Sequence, residues 1–484
     1  MYIFLVILLG FVLRITFVIK PEGLWNDEYV SWLVASTPFN QGFFTEIFKQ
    51  CHMPLYYLYL KPFAQFGDLI LRFTSIIPSV LAIWIMYLAG KEYSEKCAKY
   101  SALITSILPF LVYYSQEVRL YSLVFLLSSL VLLFLIRCLK KPAKNNLILY
   151  TLFSLVLIFT HVLGVIFVAI TTLYIVVKKK LLSPKILYIS LAVLILVLPI
   201  GINILKQLPS SQWWGIFSYT NVMFLFSDFL SPILTNNINA PGVFYYNREF
   251  LFIFLITLPT LIGLFGIFSS LRKLKDILFI PLAVIIIMIL LAICGKLLFI
   301  TKYSMEILPV IILAISAGFD ENKKLYSILF SIFVFLNLFS IFTIYYPSRQ
   351  FRSEGHNLPA QVLNLQNPDK IIYTYYAPDR FERYLTIKPV SRHISKVNRF
   401  EYINNPSKIL DSTEKNENIS IVFLDSVSFI PAKNIEDAKS KNLPEMFITF
   451  SVIRHSLENE IIKNYRDITV NKAGSWIILN GTRK

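Results

Sequence analysis

Residues 120–144 read LYSLVFLLSSLVLLFLIRCLKKPAK. The apolar run from Leu120 to Ile136 is at the short end of what crosses a bilayer as a helix, which takes about 17–25 residues. It ends on Arg137, Lys140, Lys141 and Lys144. Cations placed directly behind an apolar run mark a loop held on the cytoplasmic side. The other end of the run is different: Ser115-Gln116-Glu117-Val118-Arg119 packs an acid, an amide and a guanidinium into one short turn.

Working outward, the same asymmetry recurs. Further apolar runs cover about 2–19, 69–89 and 100–114 on one side of this stretch. On the other side lies a block at 147–177, divided at His161 and Gly164 into two spans. Beyond it come runs at about 186–205, 250–271, 277–294, 306–319 and 325–346. Lys91, Lys96 and Lys99, the 178–180 lysines, Arg272 with Lys273 and Lys275, and Lys323 with Lys324 each fall between an even-numbered span and the next odd one. About eleven spans with the N-terminus cytoplasmic satisfy the positive-inside rule, and adding or removing one breaks the alternation. The first run lacks a basic leader and a small-residue cleavage site and carries Arg14, so it reads as a retained helix.

The 484 residues are 56% hydrophobic, more apolar surface than a soluble chain of this length buries. The net charge of +17 sits largely in short loops between spans, which excludes nucleic acid as a partner and points to membrane lipids. Four scattered cysteines form no CxxC pair, so neither a metal site nor a disulfide framework is indicated. From Pro347 the composition becomes that of a soluble domain. Residues 371–375, 420–424, 447–450 and 476–479 read as short buried strands and 434–441 as a helix. The expected fold is therefore a polytopic α-helical membrane protein, residues 1–346, with a small extracytoplasmic α/β domain at 347–484.

Chemistry-bearing residues gather in the loops this topology places outside. In the first external loop, 20–68, Gly23-Leu24-Trp25-Asn26-Asp27-Glu28-Tyr29 sets two carboxylates between interfacial aromatics. They are candidates for acid–base catalysis, against the alternative of a helix cap or a solvated loop. His52-Met53-Pro54-Leu55-Tyr56-Tyr57 reads as the start of an interfacial helix, with His52 able to donate to a phosphate. Arg72, Arg119 and Lys302 stand at external span ends. Each can snorkel to lipid headgroups, but three on separate helices compose a phosphate site. Gln116 and Glu117 flank Arg119, Tyr303 follows Lys302, and Arg14 is a charge inside a span, which usually faces a cavity. His161 reads as a structural or interfacial histidine. The Walker, dinucleotide-binding, zincin and G-x-S-x-G signatures are absent, as is a D-x-D in the first external loop.

The order of these pieces resembles glycosyltransferase family 39, the relatives of dolichyl-phosphate-mannose protein mannosyltransferases, within the GT-C membrane superfamily. The resemblance rests on Arg14, Trp25-Asn26-Asp27-Glu28, His52-x-Pro54-Leu55-Tyr56-Tyr57, Phe66-Gly67, Leu71-Arg72 and Ser115-Gln116-Glu117-Val118-Arg119-Leu120-Tyr121-Ser122. Lys302-Tyr303 with Pro309 is similar to a later "RY…P" element. Met53 and Lys302 depart from the usual proline and arginine. The resemblance implies a GT-C-like fold and a polyprenyl-phosphate-linked sugar as donor. It implies transfer with inversion to an acceptor glycan, lipid or protein at the cell surface, with no cofactor or divalent metal. It favours Asp27 over Glu28 as general base, with the donor phosphate held by residues among Arg14, His52, Arg72, Gln116, Glu117, Arg119, Lys302 and Tyr303. The competing classes are a polytopic lipid or glycan transporter, which more often shows repeat symmetry, and a non-catalytic assembly or sensor protein.

Overall fold

The structure is a computed structural model. It describes residues 1–16, 18, 23–50, 52–141, 143–179, 201–202, 222, 225–231, 249–294, 301–321, 323–345, 357–373, 384–387, 390–393, 410, 415–424, 433–440, 452, 455, 458–459, 461–473 and 476–484. Two compact units are distinguished. One comprises Met1–Ile19, Val30–Asn236 and Arg248–Tyr346, and the other Lys20–Tyr29, Asn237–Asn247 and Pro347–Lys484.

The first unit is helical. In chain order its helices are α1 (Tyr2–Ile15), α2 (Asn26–Ser36, which begins in the second unit), α3 (Gln41–Lys49), α4 (Leu55–Leu60), α5 (Asp68–Lys91), α6 (Glu95–Ile107), α7 (Pro109–Ser115), α8 (Tyr121–Lys140), α9 (Lys144–Thr160), α10 (Gly164–Lys179), α11 (Leu225–Leu230), α12 (Glu249–Ile293), α13 (Leu308–Gly318) and α14 (Lys324–Ser340). Among the described residues five helices are long and apolar enough to cross a membrane, six if the bent pair α6–α7 counts as one. The protein is a multi-pass membrane protein. Every run read from the sequence falls on helix except 186–205, which lies outside the described residues apart from 201–202.

Local chemistry explains the departures from straight spans. Pro109 has no N–H to continue α6, and the chain bends by 54° into α7. In α12 the cluster Arg272-Lys273-Leu274-Lys275, expected as a loop, stays helical except at Leu274, where φ is −120°. A short 3-10 segment, Thr301–Ile307, leads into α13, and a π-helical turn, Ile341–Tyr345, ends α14. The loop read at 20–68 is also more structured than its polarity indicated: besides α4, at the expected interfacial helix, it contains α2 and α3.

The basic loop ends are tied together by side chains. Arg137 and Lys140 of α8 bind Glu92 after α5. Lys178 of α10 reaches Asp276. Lys273 faces Asp320 and donates to the Ala317 carbonyl at the end of α13. Lys96 donates to the Glu321 carbonyl. One end of this unit therefore carries the cationic clusters, as cations at helix C-termini and loops favour. Tyr121 and Lys140 are the two ends of the 20-residue α8, about 30 Å apart along the axis.

The second unit holds a five-stranded sheet of order β2-β1-β3-β5-β4: β1 Lys370–Tyr373, β2 Val390–His393, β3 Asn418–Leu424, β4 Tyr465–Ala473 and β5 Trp476–Arg483. β1 pairs in parallel with β2 and β3, while β3–β5 and β5–β4 are antiparallel. Ile372, Ile419, Ile421 and Leu479 enter one core cluster, and Ile371, Val422 and Ile478 another, as alternation along a sheet buried on both faces requires. Leu363 of helix α15 (Asn357–Gln366) joins the second cluster, and α16 (Ile435–Ser440) follows β3. The expected strand at 447–450 lies outside the described residues. β2 and β4 were not expected. β4 is an edge strand, exposed from Arg466 to Val470, with a register shift between Arg466 and Thr469 and Asp467 at φ 53°.

Candidate functional site

The stretch before α2 is fixed within the second unit. Gly23 has φ +71°, and a Cβ there would lie 2.7 Å from the Asn357 Cβ. Only glycine tolerates both the backbone and the approach. The Leu24 N–H donates to the Tyr384 hydroxyl at 2.8 Å. Asn364 holds the Tyr384 segment, donating to the Tyr384 carbonyl and accepting from the Thr386 N–H.

Asp27 and Glu28 then occupy the first turn of α2. The buried Glu28 carboxylate accepts the Trp25 N–H at 3.2 Å, closing back from the third helical position onto the cap residue as one half of a capping box does. Asp27 is half-buried, about 100° around the helix from Glu28. Both carboxylates favour the positive end of the helix dipole.

In the helical unit, Arg14 is fully buried, and its guanidinium is engaged by the backbone. Nε donates to Ser79 Oγ at 2.8 Å, Nη1 to the Gly10 and Ser106 carbonyls at 2.9 and 2.8 Å, and Nη2 to the Thr105 carbonyl at 3.0 Å. Thr105 is the residue whose helical donor Pro109 cannot supply, so Arg14 stands in for the missing N–H. Gly10 makes room: a Cβ there would lie 3.1 Å from Ser106 Cβ and 3.3 Å from Arg14 Nη1. Gln116 returns the favour, its amide donating to the Arg14 carbonyl at 2.9 Å and the Leu13 carbonyl at 3.4 Å. Arg14 thus caps the end of α6, and Gln116, which follows α7, caps the end of α1.

The remaining cations converge. Arg119 donates to Ser31 Oγ at 3.1 Å, and its carbonyl accepts from Ser75. The Arg119 guanidinium lies 6.0 Å from the Tyr121 ring centroid and the Lys302 ammonium 5.7 Å from the same centroid, with Lys302 also 5.6 Å from Tyr303. His52 shares a 2.5 Å hydrogen bond with Tyr57 and stacks on it. Desolvation, then the nearby charges of Arg119, His161 and Lys302, hold His52 well below the usual imidazole range. His52, Arg119, His161 and Lys302 therefore lie within electrostatic reach of one another. Arg72, in the second turn of α5, and Glu117, two residues before Arg119, are both buried.

Sequence reasoning missed two buried acids. Glu306 pairs with His161 Nδ1. Asp228 of α11 accepts from the Thr301 hydroxyl at 2.5 Å. A lone acid inside an apolar run is the signal that marks each. Among the described residues there is no group of three or more His, Cys, Asp or Glu side chains placed to hold a metal ion.

Residues 55–202 match the family model for dolichyl-phosphate-mannose-protein mannosyltransferase, so the resemblance read from the motifs holds for this segment. The match includes Arg72 and Ser115–Ser122 and begins after Asp27, Glu28 and His52. No curated protein sequence matches the chain. Among solved structures, the Archaeoglobus fulgidus oligosaccharyltransferase in complex with zinc and sulfate is 12% identical, with TM-score 0.48 over 98% of this chain and 72% of that one. ArnT from Cupriavidus metallidurans in the apo state is 9% identical, with TM-score 0.48 over 99% and 97%. The mycobacterial arabinofuranosyltransferase AftD is 11% identical, with TM-score 0.45 over 99% and 39%.

Proposed function

We propose that this multi-pass membrane protein, with a mannosyltransferase-family segment at 55–202, transfers a sugar from a polyprenyl-phosphate donor to an acceptor hydroxyl, with inversion. The observation that carries the reading is the convergence of Arg119, Lys302, His52 and His161 away from the basic loop end. Two cations, Arg119 and Lys302, over one ring beside His52 suit a phosphate that gains charge as it leaves. Asp27 takes the acceptor's proton, and Glu28 holds the helix start. No divalent metal is called for, because the cations supply the charge.

Arg72 and Arg119 hold the donor phosphate in this reading. Arg72→Met or Arg119→Met should weaken donor use by about 2 kcal/mol, roughly 30-fold, where a screened surface charge contributes about 0–1 kcal/mol. Transfer of radiolabelled sugar from polyprenyl phosphate measures this. Wild-type donor affinity in both variants places the phosphate elsewhere.

The topology belongs to the same proposal: eleven spans in the plasma membrane, N-terminus cytoplasmic, residues 347–484 an external α/β domain. Cysteines introduced at Ser94 and Ser412 in a cysteine-free background should differ, with only the second labelled by an impermeant maleimide in intact cells. Labelling at both sites overturns the eleven-span arrangement.

A further inference from the structure

The six-residue helix α11 is seated by its apolar side chains. Leu225, Phe229 and Leu230 are fully buried. Leu230 enters a notch that Gly263 leaves in α12, where a Cβ would lie 2.6 Å from the leucine Cδ1. Phe229 meets Phe110 of α7 edge-to-face, with ring centroids 5.0 Å apart. From Phe110 the contact continues to Tyr114 at 4.8 Å, and from Tyr114 to Tyr121 at 4.8 Å, both T-shaped. Tyr121 is the ring near which the Arg119 guanidinium and the Lys302 ammonium both stand. Aromatic contacts therefore run from α11 to the ring beneath the two cations.

A second route leads from α11 to the same ring. Asp228, next to Phe229, is 1% exposed and accepts the hydroxyl of Thr301, also 1% exposed, at 2.5 Å. Thr301 opens the 3-10 segment, and its carbonyl accepts from Ser304 Oγ at 2.8 Å. The segment packs against α8, α10, α11 and α12. With three residues per turn, consecutive side chains of a 3-10 helix point about 120° apart. Holding the Thr301 side chain on Asp228 thus sets the rotation that turns Lys302 towards Tyr121. This matters for a lysine, whose charge rides on a flexible four-carbon stem and stands only as firmly as the backbone beneath it. An acid is a poor phosphate ligand, so its place here is behind the cation. Resting on the polyprenyl-phosphate reading above, we infer that Asp228 is a positioning residue. Through Thr301 it holds Lys302 over Tyr121, beside Arg119, where the two cations meet one lipid phosphate. A cation fixed in advance stabilises the departing phosphate without having to reorganise.

Binding of undecaprenyl phosphate to the full chain in detergent tests this, for wild type, Lys302→Met, Asp228→Ala and the double variant, with affinity referred to the folded fraction. Lys302→Met should weaken binding about tenfold or more, the usual worth of a hydrogen bond to a charged group. Asp228→Ala should weaken it about three- to tenfold in the wild-type background and less than about twofold in the Lys302→Met background, because residues acting through one another are not additive. Asp228→Asn keeps an oxygen for the Thr301 hydroxyl and should recover most of the loss. Where Asp228→Ala does not fold, the isosteric Thr301→Val, which removes only the donor, enters the same cycle. Fold-changes that multiply in the double variant leave Asp228 a packing role and overturn the assignment, as does wild-type affinity in Asp228→Ala. Wild-type affinity in Lys302→Met removes Lys302 from the phosphate and ends this inference, while the donor reading stands on Arg119. Wild type that fails to bind overturns the donor reading, and this inference with it.

Discussion

Asp27→Asn should lower the single-turnover rate by about 10²–10⁴-fold with donor already bound, the usual contribution of a general base, while donor affinity survives. The amide keeps the shape and the helix position of the carboxylate but cannot accept a proton. The structure separates the two adjacent acids by what they touch. Glu28 is buried and accepts the Trp25 N–H, so its carboxylate fixes the start of α2. Asp27 is half-buried on a different face of the same turn. Glu28→Gln should do much less to the chemical step, since glutamine closes the same capping arrangement, and its effect should appear as a loss of up to about 1 kcal/mol in stability. Equal single-turnover rates for Asp27→Asn and wild type would send the search for the base to Glu28 or Glu117.

What could be read in advance, and what could not, follows the range of the interaction. Hydropathy and cation placement are local properties, and they located the helices on which every described span falls. The salt bridges of Glu92, Asp276 and Asp320 then gather the basic ends that the charge alternation had grouped. The sequence leaves Asp27 and Glu28 open between catalytic acids, a helix cap and a solvated loop, and the cap describes Glu28, which accepts the Trp25 N–H although Trp is not a preferred cap residue. β4 was missed because an exposed, bulged edge strand such as Arg466–Val470 has no buried face to impose alternation. Glu306 and Asp228 were missed for the opposite reason. Each is one acid in an apolar run, and its partner, His161 or Thr301, is supplied by a distant segment. Pairing across the fold is tertiary information, and no periodicity encodes it.

Arg14 is where that distinction has its largest expected effect. A charge within a span pointed to the donor phosphate. The structure instead surrounds the guanidinium with Ser79 and the carbonyls of Gly10, Thr105 and Ser106, on helices 91 and 92 residues away in the latter two cases. Pro109 creates the need, because it withholds the N–H that Thr105 would receive in an unbroken helix. Arg14→Met should therefore act on folding. Leaving two buried carbonyls without donors costs about 1–3 kcal/mol each, so a loss of about 3–5 kcal/mol is expected. Arg14→Lys keeps the charge but not the planar fork that reaches four acceptors at once, and should recover only part of it. Thermal unfolding in detergent gives the stability, and undecaprenyl-phosphate affinity of the folded fraction gives the binding. A variant that unfolds early yet binds the lipid normally when folded confirms Arg14 as the brace of the α6–α7 bend. One that melts like wild type and loses the lipid would return Arg14 to the phosphate site and leave Thr105 to find its donor elsewhere.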